Sequence, residues 1–398
     1  MSRGKRYLVV SYYAFHDPLF QGLLWRIINR LKSPDDQITL ITLEHDKIDQ
    51  SVRLSLEKEG VRWVPIAFEY GNSIHWRKVA MMMRIQWLLW TSAVLRRPSY
   101  IFTSGSLAAS LCWPLTALLR LKQVVYAFEP HSEFLREQKK IEASSLSYKV
   151  LRFFETRVIK GRSVLMTGTH AMRDRILAIC PTAQVFLLPT NADEELFQFS
   201  EKNRMIVRER LSVGLRKVVT YVGKFGDLYL GKELVVFFAE MWRQNNALFF
   251  MILTPNDKAE IAKWFEEEGV DSNHFWIGSC ALTELPNYLS AADFGVVAYA
   301  DFPSRKYTSP TKSGNYLLCG LPYIIQQGTS DDDRVVAAKK VGVVIDCFDT
   351  KNAHRALQQM QEMWELDIIQ LRQECRLAGI EYRGMQNADR LYAVFFKS

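Results

Sequence analysis

The sequence is poor in the residues that metal, redox and hydrolytic chemistry need. Its six cysteines (Cys112, Cys180, Cys280, Cys319, Cys347, Cys375) are scattered, and none form the close pairs of a zinc or thiol–disulfide site. Their apolar neighbours favour reduced, buried thiols in a cytoplasmic protein, although an even number leaves a disulfide framework open. The seven histidines never form H-E-x-x-H, and no G-x-S-x-G elbow occurs, so zincin and serine hydrolase readings fall away. No G-x-G-x-x-G follows a strand and no G-x-x-x-x-G-K-[ST] is present, which removes the dinucleotide and P-loop fingerprints. No apolar run reaches the roughly 20 residues that cross a bilayer. The nearest, Trp76 to Pro98, is interrupted by Arg84 and Gln86. It reads either as a buried helix or as an interfacial one, with Arg77, Lys78, Arg96 and Arg97 flanking Trp87 and Trp90. The N-terminus "MSRGKRYLVVSYY" reads as a first strand and not as a signal peptide.

What is present suits a globular protein of two domains. The chain has 398 residues, 48% hydrophobic and 24% charged, too long for one ordinary core. A formal net charge of +8 favours an anionic partner: nucleotide phosphates, acidic lipid headgroups or nucleic acid. No RNA- or DNA-binding motif is found, so no nucleic-acid partner is expected.

Short β-rich runs alternate with helix-length segments, the mark of parallel α/β architecture. Strands are expected at Tyr7–Ser11, Ile38–Leu43, Val61–Ile66, Tyr100–Thr103, Val124–Ala127, Ser163–Thr167 and Val185–Leu188. A second series comprises "KVVTYVG", "ALFFMIL", "HFWIG", "DFGVVAY", "LPYIIQ" and "VGVVID". The polar stretch 191–216 reads as a linker between them. Two terminal helices are expected, Lys351–Leu377 and Ile380–Phe396. Tandem doubly wound domains would place a ligand in a cleft facing the carboxyl ends of both sheets.

Two stretches in the second half point to phosphate. In "YVGKFGDLYLGKE" a strand ends at Gly223, where a glycine lets backbone approach a ligand closely. Lys224 and Lys232 can then bring two ammonium groups to a diphosphate, or can be solvated surface charge. In "SPTKSGNYLLCGLP", Ser309 is a good N-cap and Pro310 suits the first helical position. The free amides of Thr311 and Lys312 at the positive end of the helix make an anion site. Asn315 lies on the same face one turn deeper. In the first half, "YAFEPHSEFLRE" carries Glu129, His131 and Glu133 just after a strand. Neutral imidazole has a basic nitrogen, so His131 can accept a hydroxyl hydrogen bond near a reacting centre. In "YYAFHDPLFQG", His16 and Asp17 are candidate acceptor contacts, or Asp-Pro simply starts a turn. The aspartates of "GTSDDDR" are expected to cap a helix.

These two stretches and the two-domain layout resemble the retaining GT-B glycosyltransferases of family four. "TGTHAMRDRI", "LPTNADEELF" and "HFWIGSCALTELPNYLSAADFGVVAY" extend the resemblance over nearly the whole chain. It implies an α/β fold of two Rossmann-like doubly wound domains facing a central cleft, with a C-terminal helix returning to the first domain. Residues 1–192 with 380–398 would bind the acceptor, and 193–379 the nucleotide-sugar donor. Gly223, Lys224, Lys232, Ser309, Pro310, Thr311 and Lys312 would hold the donor diphosphate. Asn315 would meet the ribose, Ile277 and Gly278 the nucleobase, and His16, Asp17 and Gly22 the acceptor. His131 and Glu129 are the catalytic candidates.

The activity implied is transfer of a hexose to a glycan or lipid-linked hydroxyl, without metal or cofactor. Its setting would be bacterial surface polysaccharide synthesis in the cytoplasm, with peripheral contact to an anionic membrane. The chain departs from the family at Thr308 and Asn315, where two glutamates seven residues apart are usual. That departure keeps two alternatives open: a degenerate subunit that binds without turnover, and a nucleotide-sugar epimerase of the same architecture.

Overall fold

In a computed structural model describing residues 4–45, 49–67 and 75–397, every apolar run expected as a strand forms one. The chain divides into two compact units, residues 1–189 with 386–398, and 190–385. The first unit holds β1 (Arg6–Ser11), β2 (Gln37–Glu44), β3 (Val61–Ala67), β4 (Tyr100–Ser104), β5 (Lys122–Tyr126), β6 (Val164–Thr167) and β7 (Gln184–Leu187). Its helices are α1 (Arg26–Leu31), α2 (Gln50–Lys58), α3 (His75–Arg96), α4 (Gly105–Leu119), α5 (His131–Glu137), α6 (Leu146–Ile159) and α7 (His170–Ile179). The second unit holds β8 (Lys217–Val222), β9 (Leu248–Leu253), β10 (Phe275–Gly278), β11 (Phe294–Val297), β12 (Tyr323–Gln326) and β13 (Gly342–Ile345). Around them lie α8 (Glu201–Arg210), α9 (Lys232–Gln244), α10 (Lys258–Glu267), α11 (Leu285–Ala291), α12 (Thr311–Leu318), α13 (Asp332–Lys339), α14 (Thr350–Trp364) and α15 (Ile368–Arg383). The last helix, α16 (Met385–Lys397), belongs almost wholly to the first unit.

The strands pair in parallel, in the orders β3-β2-β1-β4-β5-β6-β7 and β10-β9-β8-β11-β12-β13. Each order reverses once, between β1 and β4 and between β8 and β11. Such a switch point opens a crevice at the carboxyl ends of the strands, where doubly wound sheets bind ligands. Helices on both faces explain why the strand sequences are apolar throughout. In β9, Phe249, Met251 and Leu253 join the core on one face, while Leu248, Phe250 and Ile252 join the core on the other. At roughly 1.5–3 kcal/mol for each fully buried large apolar side chain, these six positions alone pin the strand's register.

In the first unit, α16 closes one face of the sheet with an aromatic seam. Phe102 stacks on Phe396 at 5.4 Å and Tyr392 at 5.9 Å, and Tyr7 lies 4.8 Å from Phe396. The other face receives α3 and α4: Ile85, Leu89 and Ala93 of α3 pack with Leu8, Val10 and Ile101. Trp90 is half-buried against this cluster, whereas Trp87 is 65% exposed, so the two tryptophans do not share one face. The basic residues Arg77 and Lys78 precede the part of α3 whose side chains are described. Among the described residues, no helix is long and apolar enough to cross a membrane.

Two expectations change. The polar stretch 191–216 is not an open linker, because Ser200 caps α8 within it and Arg204 pairs with Asp293 at 2.7 Å. The terminal helices number three, since Asp367 caps a new helix and Gly384 ends it in extended backbone. All six cysteines are free.

Candidate functional site

Strand β8 ends at the switch point of the second unit, and Gly223 follows with φ at +143°, a region reserved for glycine. A side chain there would also find no room, because a Cβ would lie 2.7 Å from Lys312 Nζ. Lys312 reaches this spot from the first turn of α12. Its ammonium lies 4.4 Å from the ring centroid of Tyr221, 4.6 Å from Tyr229 and 5.9 Å from Tyr299. These tyrosines come from β8, the loop after it and the segment after β11, so strands on both sides of the reversal build the cage. The amine is buried and has no hydrogen-bond partner among the described residues. Burial alone pushes its pKa down from 10.5 to about 7.

The start of α12 is uncapped. Pro310 stands at the N-cap with extended backbone, and no side chain among the described residues accepts a hydrogen bond from the first turn. The Ser309 hydroxyl, expected as the cap, is used elsewhere: it accepts from the Thr190 amide at 2.9 Å and from Arg383 at 2.9 Å. Arg383 in turn forms two 2.6 Å bonds to the carboxylate of Asp332, and both residues are fully buried. Ser313 adds a 3.2 Å bond to the same carboxylate. The aspartate motif therefore does not cap its helix through Asp332. It anchors α12 through a buried ion pair with two short bonds, although the Arg383 Nε has no hydrogen-bond partner among the described residues. Thr308 is buried too, its hydroxyl donating to the Arg305 carbonyl at 2.7 Å. Thr311 and Asn315 are half-buried on α12.

The two lysines of the loop are both exposed. Lys224 is exposed, and its carbonyl accepts from the Tyr221 hydroxyl at 2.6 Å. Lys232 is also exposed and pairs with Glu267 of α10 at 2.7 Å. Lys312 and Gly223 are thus together, whereas Lys232 is committed to a surface ion pair. Beside the loop, an open pocket of about 440 Å³ is lined by Phe225, Tyr229, Lys232, Asn256 and Trp264. Asn256 was missed in the sequence: its side chain bonds Phe225 N and O at 3.0 and 3.2 Å and so ties two loops together. Tyr221, Tyr229 and Tyr299 were also missed as site residues. Tyr221 and Tyr229 lie inside the quoted lysine motif, eight residues apart, and only the fold shows that they face one amine.

Ile277 and Gly278 end β10. The Trp276 indole lies across the Gly278 Cα, so closely that an added Cβ would sit 2.0 Å from it, and stacks on Tyr288 at 5.5 Å. The expected base-binding edge is therefore walled by two aromatic rings.

In the first unit, β5 leads into Ala127, whose φ of +52° is unusual for a residue with a side chain. Glu129 and His131 follow on a tight turn, with the His131 amide bonded to the Glu129 carbonyl at 2.9 Å. The His131 ring lies 6.5 Å from Tyr12, just beyond β1. Burial, aided by Lys140, lowers the imidazole pKa and keeps it neutral. Glu133 is not available as a contact: Arg175 holds it at 2.5 and 2.9 Å and Arg152 at 3.0 Å. The start of α5 is closed from within, as Glu155 accepts from Ser132 N at 2.8 Å and Ser132 Oγ at 2.5 Å. Desolvation pushes the Glu155 carboxyl up to about 7, against those two bonds. His16 is exposed, and Asp17 accepts from Leu19 N at 2.8 Å, so the aspartate serves a turn. Gly22 lies within the wide helical turn Phe20–Trp25. Among the described residues, no group of three or more His, Cys, Asp or Glu is placed to hold a metal ion.

Residues 238–375 match the model of a glucosyltransferase 3-like C-terminal domain. No curated protein matches the chain by sequence. Among solved structures, it is similar to sucrose-phosphate synthase from Thermosynechococcus elongatus, with TM-score 0.75 and 14% identity over 99% of this chain and 98% of that one. It is also similar to Anabaena HepE in complex with UDP-glucose, with TM-score 0.73 and 11% identity over 99% of both chains. A third is WaaG, a glycosyltransferase involved in lipopolysaccharide biosynthesis, with TM-score 0.69 and 14% identity over 97% and 98%. The matched segment is that of a glucosyltransferase 3-like C-terminal domain, and the fold is that of the GT-B glycosyltransferases.

Proposed function

We propose that this protein is a retaining glycosyltransferase that moves a hexose from a nucleoside-diphosphate sugar to a hydroxyl of a glycan or lipid-linked acceptor. One observation carries the donor reading: the uncapped start of α12 and the partnerless amine of Lys312 meet behind Gly223, at the switch point of the second sheet. In the reaction the bond from the sugar to the diphosphate breaks, and a bond to the acceptor oxygen forms with the same configuration. Charge grows on the diphosphate as it leaves. Fixed amides and a nearby cation stabilise it there without reorganising, and loss of one such donor costs about 10²–10³ in rate. This reading needs no metal or cofactor. In the first unit, neutral His131, carried with Glu129 on the strained turn after β5, offers a basic nitrogen to a sugar or acceptor hydroxyl. Asn315 takes the ribose side, and the edge at Ile277 and Gly278, walled by Trp276 and Tyr288, takes the base.

A setting in bacterial surface polysaccharide synthesis is in keeping with WaaG, and a nucleotide-sugar donor with the UDP-glucose bound to HepE. Peripheral contact with an anionic membrane is supported by exposed apolar side chains on two helices of the first unit. These are Met83, Trp87 and Val94 on α3, and Leu146, Val150 and Phe153 on α6. Arg84, Lys149 and Arg157 are exposed beside them, the pattern of an interfacial surface.

The test is nucleotide release from UDP-, GDP- and dTDP-sugars, with and without a lipid extract. Acceptor-dependent release supports transfer. Binding without release would favour a subunit that has lost turnover, the reading supported by the uncharged Thr308 and Asn315. Under the transferase reading, Asn315→Glu tightens donor binding by several-fold, since a charge-assisted bond is about twice as strong as a neutral one.

A further inference from the structure

The amine of Lys312 is in an unusual state for a phosphate-binding lysine. It lies against Gly223, faces three aromatic rings, and has neither a carboxylate nor a hydrogen-bond acceptor among the described residues. The groups that face it are the phenols of Tyr221 from β8, Tyr229 from the covering loop and Tyr299 after β11. Tyr316 of its own helix is committed to Val222 N and the Val296 carbonyl, at 3.1 and 3.2 Å. The ammonium of Lys224 lies on the covering loop and is exposed. Burial pushes the Lys312 pKa down.

We propose that donor binding is coupled to protonation of Lys312: the amine, caged by tyrosines and without an anionic partner in the empty site, takes up protons from solvent when a diphosphate arrives beside the uncapped start of α12. The inference rests on the donor reading above. Tyrosine faces favour the cation, but they replace only part of the hydration lost. A diphosphate supplies the missing anion, and an opposite charge within about 4–6 Å favours the charged form. The downward shift to about 7 is consistent with a group poised to change state near neutral pH. The same coupling gives the site a preference for doubly charged linkers, because a neutral or singly charged ligand recovers less of the protonation.

Calorimetric titration of the full chain with UDP-glucose, GDP-mannose and ADP-glucose at pH 8 tests this, run in HEPES and in Tris, whose ionisation heats differ. The phosphates of these donors do not titrate in that range. The expected result is uptake of about half to one proton per donor bound, with affinity falling about tenfold from pH 7 to pH 8.5. Lys312→Met binds at least about tenfold more weakly and loses both the uptake and the pH dependence. Donor binding with the same heat in both buffers overturns the coupling and leaves the donor reading standing. Absence of binding by all three donors, in calorimetry and thermal shift, overturns both. The wild-type buffer comparison decides the matter even if the methionine variant does not fold.

Discussion

Two helix starts, one in each unit, solve the same problem in opposite ways. At α5, the chain has just left β5, and the amide and hydroxyl of Ser132 in the first turn are met by Glu155 from a neighbouring helix. At α12, the chain begins a helix beside the ends of β8 and β11, and no side chain among the described residues meets the first turn. The buried ionisable groups differ accordingly. Glu155 is a carboxyl with partners, whereas Lys312 is an amine without them. A helix start that carries its own acid has no need of an external anion, and one that faces a partnerless lysine has no internal substitute for one. The contrast is between a helix start met from within its own unit and one that is not.

Breaking the anchor of α12 has the largest expected effect. Asp332→Asn leaves Arg383 buried without its counter-charge and lowers unfolding free energy by about 3–5 kcal/mol in denaturant titration. Next is Glu155→Gln, which weakens the internal cap by about 1–3 kcal/mol. Its pH signature is specific. The folded carboxyl titrates near 7 and the unfolded one near 4.5, so wild-type stability falls as pH rises between those values, and the variant flattens that fall. Lys312 has the opposite slope. Its folded pKa is depressed to about 7 from 10.5, so the unfolded chain binds the extra proton and stability rises with pH across that window. Lys312→Met removes the rise, read from melting temperatures between pH 7 and 9.5. The smallest effect is expected at Lys232, whose pair with Glu267 is exposed and screened by solvent; Lys232→Ala should barely move the melting temperature. A large loss there would mean that the surface pair is part of the site.

The strands were legible because a sheet covered on both faces needs continuous apolar runs, and "LFFMIL" or "YIIQ" can satisfy nothing else at that length. The phosphate-like helix start was legible too, since Pro310 and the small polar residues around it mark a boundary locally. Partner choice was not. Ser309 is a sound cap by residue type, yet Thr190 and Arg383, 119 and 74 positions away, compete for its hydroxyl and win. Likewise Lys232 sits in the right motif but finds Glu267 closer at hand. Helix α8 was hidden because its exposed face is so charged that the stretch reads as a loop. Its packing depends on Asp293, remote in the chain.

Residue order alone determined the alternation of strands and helices, the two-unit α/β class and the place where a helix begins after Pro310. These depend on neighbours within a turn or a strand. Only the tertiary structure decided which hydroxyl, carboxylate or amine would be satisfied internally and which would not. That choice is made by groups that meet across the sheet, as three tyrosines meet around Lys312, and burial then sets the charge each group can hold.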